Sequence, residues 1–198
     1  VYSAGYEYNG TNFVAKVWKN DKELYKLTDG SKNAYANSLF VADDKVYTAG
    51  NDGKVAKLWK NKSATDLTDG SKSATANSVF VAGSNVYTAG YESNGTNAVA
   101  KVWKNNEEVV FRTFGSKSAI AHSVYVDRGD IYVSGYEIEG SNAMLKVWKN
   151  GEKLYTLADN CDGHSSIVVH DGDVYVAGVE QEGSNHAPKA VSYTHLRA

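Results

Sequence analysis

Residues 77–113 read Asn77-Ser78-Val79-Phe80-Val81-Ala82, Gly83-Ser84-Asn85, Val86-Tyr87-Thr88-Ala89-Gly90-Tyr91, Glu92-Ser93-Asn94-Gly95-Thr96-Asn97, Ala98-Val99-Ala100-Lys101-Val102-Trp103, Lys104-Asn105-Asn106-Glu107 and Glu108-Val109-Val110-Phe111-Arg112-Thr113. Four short runs of Val, Ala, Tyr, Thr and aromatic residues alternate with Gly-, Asn- and Ser-rich connectors, the signature of strands joined by tight turns. Asn94-Gly95 is the strongest short hairpin signal among them. The runs predict strands A (77–82), B (86–91), C (98–103) and D (108–113), antiparallel in sequence order. Strands A and C are apolar on both faces apart from a few polar positions, as a sheet covered on both sides requires.

The same phrase recurs along the chain. Val-Tyr-x-Ala/Ser-Gly, once with Ile for Val, begins at Val1, Val46, Val86, Ile131 and Val174, with spacings of 45, 40, 45 and 43 residues. Lys-Val/Leu-Trp-Lys-Asn places Trp18, Trp59, Trp103 and Trp148 at intervals of 41, 44 and 45. Asp-Gly-Ser-Lys-x-Ala runs from Asp29 and Asp69 and returns altered from Phe114 to Ala119. The short interval has a local cause: Asn51-Asp52-Gly53 stands where the first copy has Tyr6-Glu7-Tyr8-Asn9-Gly10-Thr11-Asn12. A segment that changes length between copies is an exposed loop.

Four-stranded antiparallel units at this period, each covered on both faces by neighbours, describe the blades of a β-propeller. A β-helix repeats over much shorter coils, and a sandwich has no sequence repeat of this length. The fold class expected is all-β, a β-propeller fragment of about four complete or near-complete blades plus a partial one. Complete A-to-D sets fall at about 37–68, 77–114 and 121–158. Strands B, C and D precede them, and A (about 165–170), B (173–179) and the start of C follow.

Composition agrees. The 198 residues are 42% apolar and include 18 Gly and 14 Tyr, but one Pro, one Met and one Cys. Helix-forming residues never recur at helical spacing over a useful length. No stretch approaches the roughly 18 consecutive apolar residues of a membrane-spanning helix. Lys and Arg number 21 against 23 Asp and Glu, a net charge of −2, which gives no footprint for nucleic acid or an anionic bilayer. Cys161 has no partner for an intrachain disulfide.

The segments Val-Tyr-Val-Ala-Gly, Asn-Gly-Thr-Asn, Ala-Lys-Val-Trp-Lys-Asn and Leu-Thr-Asp-Gly-Ser resemble tandem repeats of uncharacterised bacterial proteins that are exported or lipid-anchored and assigned to β-propellers. The resemblance covers residues 1 to about 190. It implies the propeller fold and an extracytoplasmic setting, at the cell surface or secreted, and carries over no catalytic residue. The chain lacks the Gly-His and Trp-Asp signatures of WD40 repeats. Residues 1–190 are therefore expected to be propeller repeats truncated at both ends. Residues 191–198, Val-Ser-Tyr-Thr-His-Leu-Arg-Ala, leave the pattern where a Trp is due after Ala190. They resemble the in-frame translation of a sequencing adapter and are expected to be a non-native tail on a metagenomic fragment. An absent signal sequence then says nothing of location.

Candidate chemistry is sparse. One Trp per copy on an internal strand reads as packing between blades rather than a stacking platform. Lys16, Lys57, Lys101 and Lys146 lie two residues before each Trp and hence on the same face, with stems laid over apolar surface. His122, His164, His170 and His186 show no metal-ligand spacing, and Cys161 with His164 is an isolated pair. His122 stands where other copies have Asn37 and Asn77, a strand-start hydrogen-bonding position. Asp-rich turns such as 171–173 lack the spaced oxygen ligands of a calcium loop. No Gly-x-Ser-x-Gly and no phosphate loop occurs. No catalytic residue, metal or cofactor is expected.

Loops remain. The B-to-C and D-to-A connections share one rim and carry Tyr6, Glu7, Tyr91, Glu92, Tyr136 and Glu137, with Lys32, Lys72 and Lys117 alongside. Aromatic, acidic and ammonium groups repeated around a rigid scaffold suit a polar polymer. The expected function is a non-catalytic extracytoplasmic binding or scaffold propeller with a glycan, peptide or protein ligand. Its alternative is the propeller part of a secreted enzyme whose active site lies in other blades or another domain. Uncovered blade faces are expected to self-associate.

Overall fold

The computed structural model describes residues 1–109, 117–182 and 185–193. They form five antiparallel sheets in sequence order, with no helix among them. The first sheet holds β1 (Tyr2–Tyr8), β2 (Phe13–Lys19) and β3 (Lys22–Lys26). The second holds β4 (Ala34–Ala42), β5 (Lys45–Asp52), β6 (Val55–Lys60) and β7 (Ser63–Asp66). The third holds β8 (Ala74–Ala82), β9 (Asn85–Ser93), β10 (Ala98–Lys104) and β11 (Glu107–Val109). The fourth holds β12 (Ala119–Asp127), β13 (Asp130–Glu139), β14 (Asn142–Lys149) and β15 (Glu152–Ala158). The fifth holds β16 (Cys161–His170), β17 (Asp173–Glu182) and β18 (Asn185–Tyr193).

The hairpins follow from turn chemistry. Asn105 and Asn106, Asn150 and Gly151, and Asp171 and Gly172 all have positive φ, the conformation a two-residue turn needs to match strand twist. The Asn of the Trp-Lys-Asn phrase does a second job. Asn61, Asn105 and Asn150 accept through Oδ1 from the backbone N–H of Val46, Val86 and Ile131, tying each turn to the start of the strand beside it.

Strand A is three residues longer than the apolar run suggests, because a bulge lies inside it. Pairing slips between Ala36 and Ser38, Ala76 and Ser78, and Ala121 and Ser123, leaving Asn37, Asn77 and His122 as the extra residues. The Gly of the Val-Tyr-x-Ala/Ser-Gly phrase is needed there. A Cβ on Gly50, Gly90 or Gly135 would sit 1.9, 2.0 or 2.1 Å from the carbonyl oxygen of Tyr35, Thr75 or Ile120. Only glycine allows that approach. Strand D of the third copy begins as β11, and the rest of its expected span, 110–113, lies outside the described residues.

Apolar layers lie between successive sheets. Tyr47, Ala49, Ala56 and Leu58 of the second sheet meet Ala74, Ala76, Val79 and Trp103 of the third. Tyr87, Ala89, Ala100 and Val102 of the third meet Ala119, Ala121, Val124 and Trp148 of the fourth. Trp59 closes the layer against Ala15 and Val17 of the first sheet in the same way. Each of these tryptophans thus packs on the preceding sheet, as the sequence reading expects. In the fifth sheet Val191 takes that position, paired with Val176 as Trp148 is with Val133, and it packs against the fourth-to-fifth layer. Of the segment expected to be a non-native tail, 191–193 end β18 and 194–198 lie outside the described residues.

Candidate functional site

The first strands of the last four sheets, β4, β8, β12 and β16, pack on one another in succession. A chain of hydrogen bonds links them. Ser38 Oγ accepts from the Val79 N–H at 3.2 Å, Ser78 Oγ from Val124 at 3.2 Å and Ser123 Oγ from Ile167 at 3.3 Å. In the opposite sense, Asn37 Nδ2 donates to the Ala76 carbonyl at 3.0 Å and Asn77 Nδ2 to the Ala121 carbonyl at 2.9 Å. The bulge makes this possible, since the extra residue is turned out of its own sheet's pairing toward the next strand.

Where these strand starts converge with the ends of β5, β9 and β17, a concavity of about 880 Å³ opens. Equivalent positions from successive sheets line it: Tyr35, Thr75 and Ile120; Asn37, Asn77 and His122; Asn51, Tyr91 and Val179; Ser165 of the fifth sheet lies beside them. His164 and Ser166 complete the polar part. The volume falls in the range of small-ligand clefts. No carboxylate, ammonium or guanidinium is among the described residues lining it. Burial, followed by the neighbouring His164, lowers the His122 pKa to about 4, so its imidazole is neutral at pH 7. The His122 ring stacks on His164 with centroids 5.5 Å apart and meets Tyr136 at 5.5 Å. Burial, with lesser effects from Cys161 and Tyr91, raises the Tyr136 phenol, which stays a hydroxyl donor.

The rim residues singled out in the sequence fall into three groups. Tyr6, Glu7, Tyr91, Glu92, Tyr136 and Glu137 lie within β1, β9 and β13 rather than on the connections expected, because those strands pair on past the Gly. Tyr91 lines the concavity and Tyr136 borders it through His122. Tyr6, 51% exposed, stands edge-on to Tyr35 and Phe13 at the outer margin. The glutamates are engaged within their own sheets. Glu7 pairs with Lys16, Glu92 lies 3.8 Å from Lys101, and Glu137 pairs with Lys146 at 2.6 Å. Glu137 and Lys146 are 2% and 1% exposed, which keeps that carboxylate from any ligand. Burial works against the Lys146 ammonium, but Glu137 and Glu139 outweigh it and hold its pKa above the ordinary lysine value. Lys32, Lys72 and Lys117 are exposed on the connections outside the concavity.

Sequence reasoning missed the inner layer. Asn37, Asn77 and Asn51 read as strand-start and turn residues, and nothing local shows that bulges gather them. The glutamate ion pairs had a usable signal. Hairpin register sets Gly5, Gly90 and Gly135 opposite Lys16, Lys101 and Lys146, so a Glu two residues past the Gly is a diagonal neighbour on the same face.

Among the described residues no three His, Cys, Asp or Glu side chains gather as a metal site would need, and no helix is long and apolar enough to cross a membrane. No protein-family model matches the chain, and no curated protein matches it.

Proposed function

We propose that the chain is an arc of β-propeller blades that binds a neutral, hydroxyl-rich polymer, a glycan, in the concavity where the first strands of successive sheets converge. The arc reading is supported by five sheets in sequence order, each meeting the next across an apolar layer that Trp59, Trp103 or Trp148 closes in three cases and Val191 in the last. The binding reading rests on one observation: a cleft of about 880 Å³ lined by tyrosine faces and amide, imidazole and hydroxyl groups, with no carboxylate, ammonium or guanidinium among the described lining residues. Neutral polar groups beside aromatic faces match a sugar, whose hydroxyls need hydrogen bonds and whose C–H faces need flat apolar cover. A peptide or protein ligand would draw less from a lining without carboxylate, ammonium or guanidinium groups.

The role is non-catalytic in this segment, and its setting is outside the cytoplasm, at the envelope or secreted. The location rests on the resemblance to exported repeat proteins. Calorimetric titration with cellotetraose, maltotetraose and chitotetraose tests the binding. At least one should bind, Tyr91→Ala should weaken it about tenfold, a loss of about 1.4 kcal/mol, and Lys72→Ala should leave it unchanged. Failure of all three sugars to bind contradicts the reading, and release of shorter sugars during the titration contradicts the non-catalytic role.

A further inference from the structure

Bulged residues of the second and third sheets behave alike. Asn37 and Asn77 each spend an Nδ2 donor on a carbonyl of the next sheet's first strand. A carbonyl can only accept, so the nitrogen of each amide must face it and Oδ1 is left as an acceptor. Both residues line the concavity. The fourth sheet departs from this pattern. His122 replaces the amide, and its neighbour differs too, because the register break of the fifth sheet falls between Cys161 and Ser165. His122 lies over His164 of that break instead of reaching a backbone carbonyl.

One His122 nitrogen, Nδ1, is shut off from solvent with no hydrogen-bond partner among the described residues. A neutral imidazole carries one N–H, and an orphaned buried N–H is rarer than an orphaned acceptor. The proton therefore belongs on Nε2, the nitrogen left to the concavity that His122 lines.

Resting on the glycan reading above, we propose that His122 is the residue that selects the ligand, donating through Nε2–H to a sugar hydroxyl whose neighbours donate to the Asn37 and Asn77 Oδ1 atoms. A hydroxyl both donates and accepts, so one repeated ligand group meets two acceptors and a donor. An ammonium ligand could satisfy the asparagines but not the imidazole N–H. A carboxylate could satisfy the imidazole but not the asparagines. Neutrality of the imidazole at pH 7 fits an uncharged ligand.

The test uses the whole chain and whichever of the three tetrasaccharides binds it. His122→Phe keeps a flat ring over His164 and removes both nitrogens. It should hold or raise the melting temperature, because the orphaned Nδ1 goes with it, and lower affinity about tenfold or more. His122→Gln, whose side-chain amide returns an N–H near the place of Nε2, should recover most of the affinity. Unchanged binding by His122→Phe overturns the inference and leaves the proposed function standing. Failure of His122→Gln to bind better than His122→Phe removes the donor role. Spermidine binding as well as the sugar does would overturn the hydroxyl assignment. Should His122→Phe fail to fold, imidazole nitrogen shifts of the wild-type chain decide. A proton on Nε2, with that nitrogen shifting on sugar addition, supports the inference, and a proton on Nδ1 overturns it. If no tetrasaccharide binds the wild type, the proposed function falls first.

Discussion

Tyr87 in the third sheet and Tyr175 in the fifth occupy the same place in nearly the same words, Val86-Tyr87-Thr88-Ala89-Gly90 and Val174-Tyr175-Val176-Ala177-Gly178. One is 4% exposed and the other 42%. The difference lies in what stands in front of each. Tyr87 is covered by Ala119, Ala121, Val124 and Trp148 of the fourth sheet, while Tyr175 belongs to the last sheet described. Trp18 shows the same from the other end, half-buried in the first sheet where Trp59, Trp103 and Trp148 are buried. Burial in this array is conferred by the neighbouring sheet, and identical residues acquire different energetic weight by position.

Substitution should reproduce that gradient. Trp103→Ala empties a closed layer and should cost about 3–5 kcal/mol, read as a large fall in the urea midpoint. Trp18→Ala should cost clearly less. Equal losses would break the comparison, because they would make the tryptophan's worth independent of its neighbours.

Ion pairs offer a second contrast between sheets. Lys146 is 1% exposed beside the equally hidden Glu137, whereas Lys16 pairs with an exposed Glu7. Lys146→Met strands a buried carboxylate and should cost about 3 kcal/mol. Lys16→Met should cost about 1 kcal/mol or less. A smaller loss at Lys146 than at Lys16 would show that the fourth sheet admits water.

The strand phrases, the turns and the one tryptophan per copy were legible because each depends on residues near in sequence. Alternation and Asn-Gly pairs set the hairpins locally, and the period carried the rest. The bulge was not legible. Ala36, Asn37 and Ser38 read as the polar edge of a strand, and only the carbonyl pressed against Gly50 shows that Asn37 is squeezed outward. The site inherits that blindness, since three separate bulges must align before Asn37, Asn77 and His122 face one cavity. Of the rim tyrosines only Tyr6 is the exposed aromatic its loop-like sequence suggests, and Tyr91 and Tyr136 are half-buried. Their glutamates looked available because cross-strand lysines were read as a separate feature.

Acid should single out the fourth sheet. His122 has an ordinary pKa of 6.5 unfolded and about 4 folded, so between these values the unfolded chain binds the extra proton. Stability contributed by the neutral imidazole is intact above pH 6.5 and falls by about 1.4 kcal/mol per pH unit on acidification through that window. Denaturation curves at pH 7 and 5 should therefore converge for His122→Phe relative to the wild type. A parallel acid loss in both would assign the effect elsewhere.

The smallest effect belongs to the uncovered face. Tyr175→Ser should change stability by no more than about 0.5 kcal/mol, and Tyr87→Ser by several times that. A large loss at Tyr175 would mean that something covers the fifth sheet in solution, and a sedimentation profile with concentration-dependent mass would identify a second copy as that cover.

Backbone amide shift mapping during titration with the binding tetrasaccharide separates the inner cavity from the outer rim. Shifts should concentrate at Asn37, Asn77, Tyr91 and His122, on the strands lining the concavity. Shifts centred instead on Glu7, Glu92, Lys32 and Lys72, with Asn37, Asn77, Tyr91 and His122 unmoved, would place the ligand on the outer rim and contradict a site built by the converging strands.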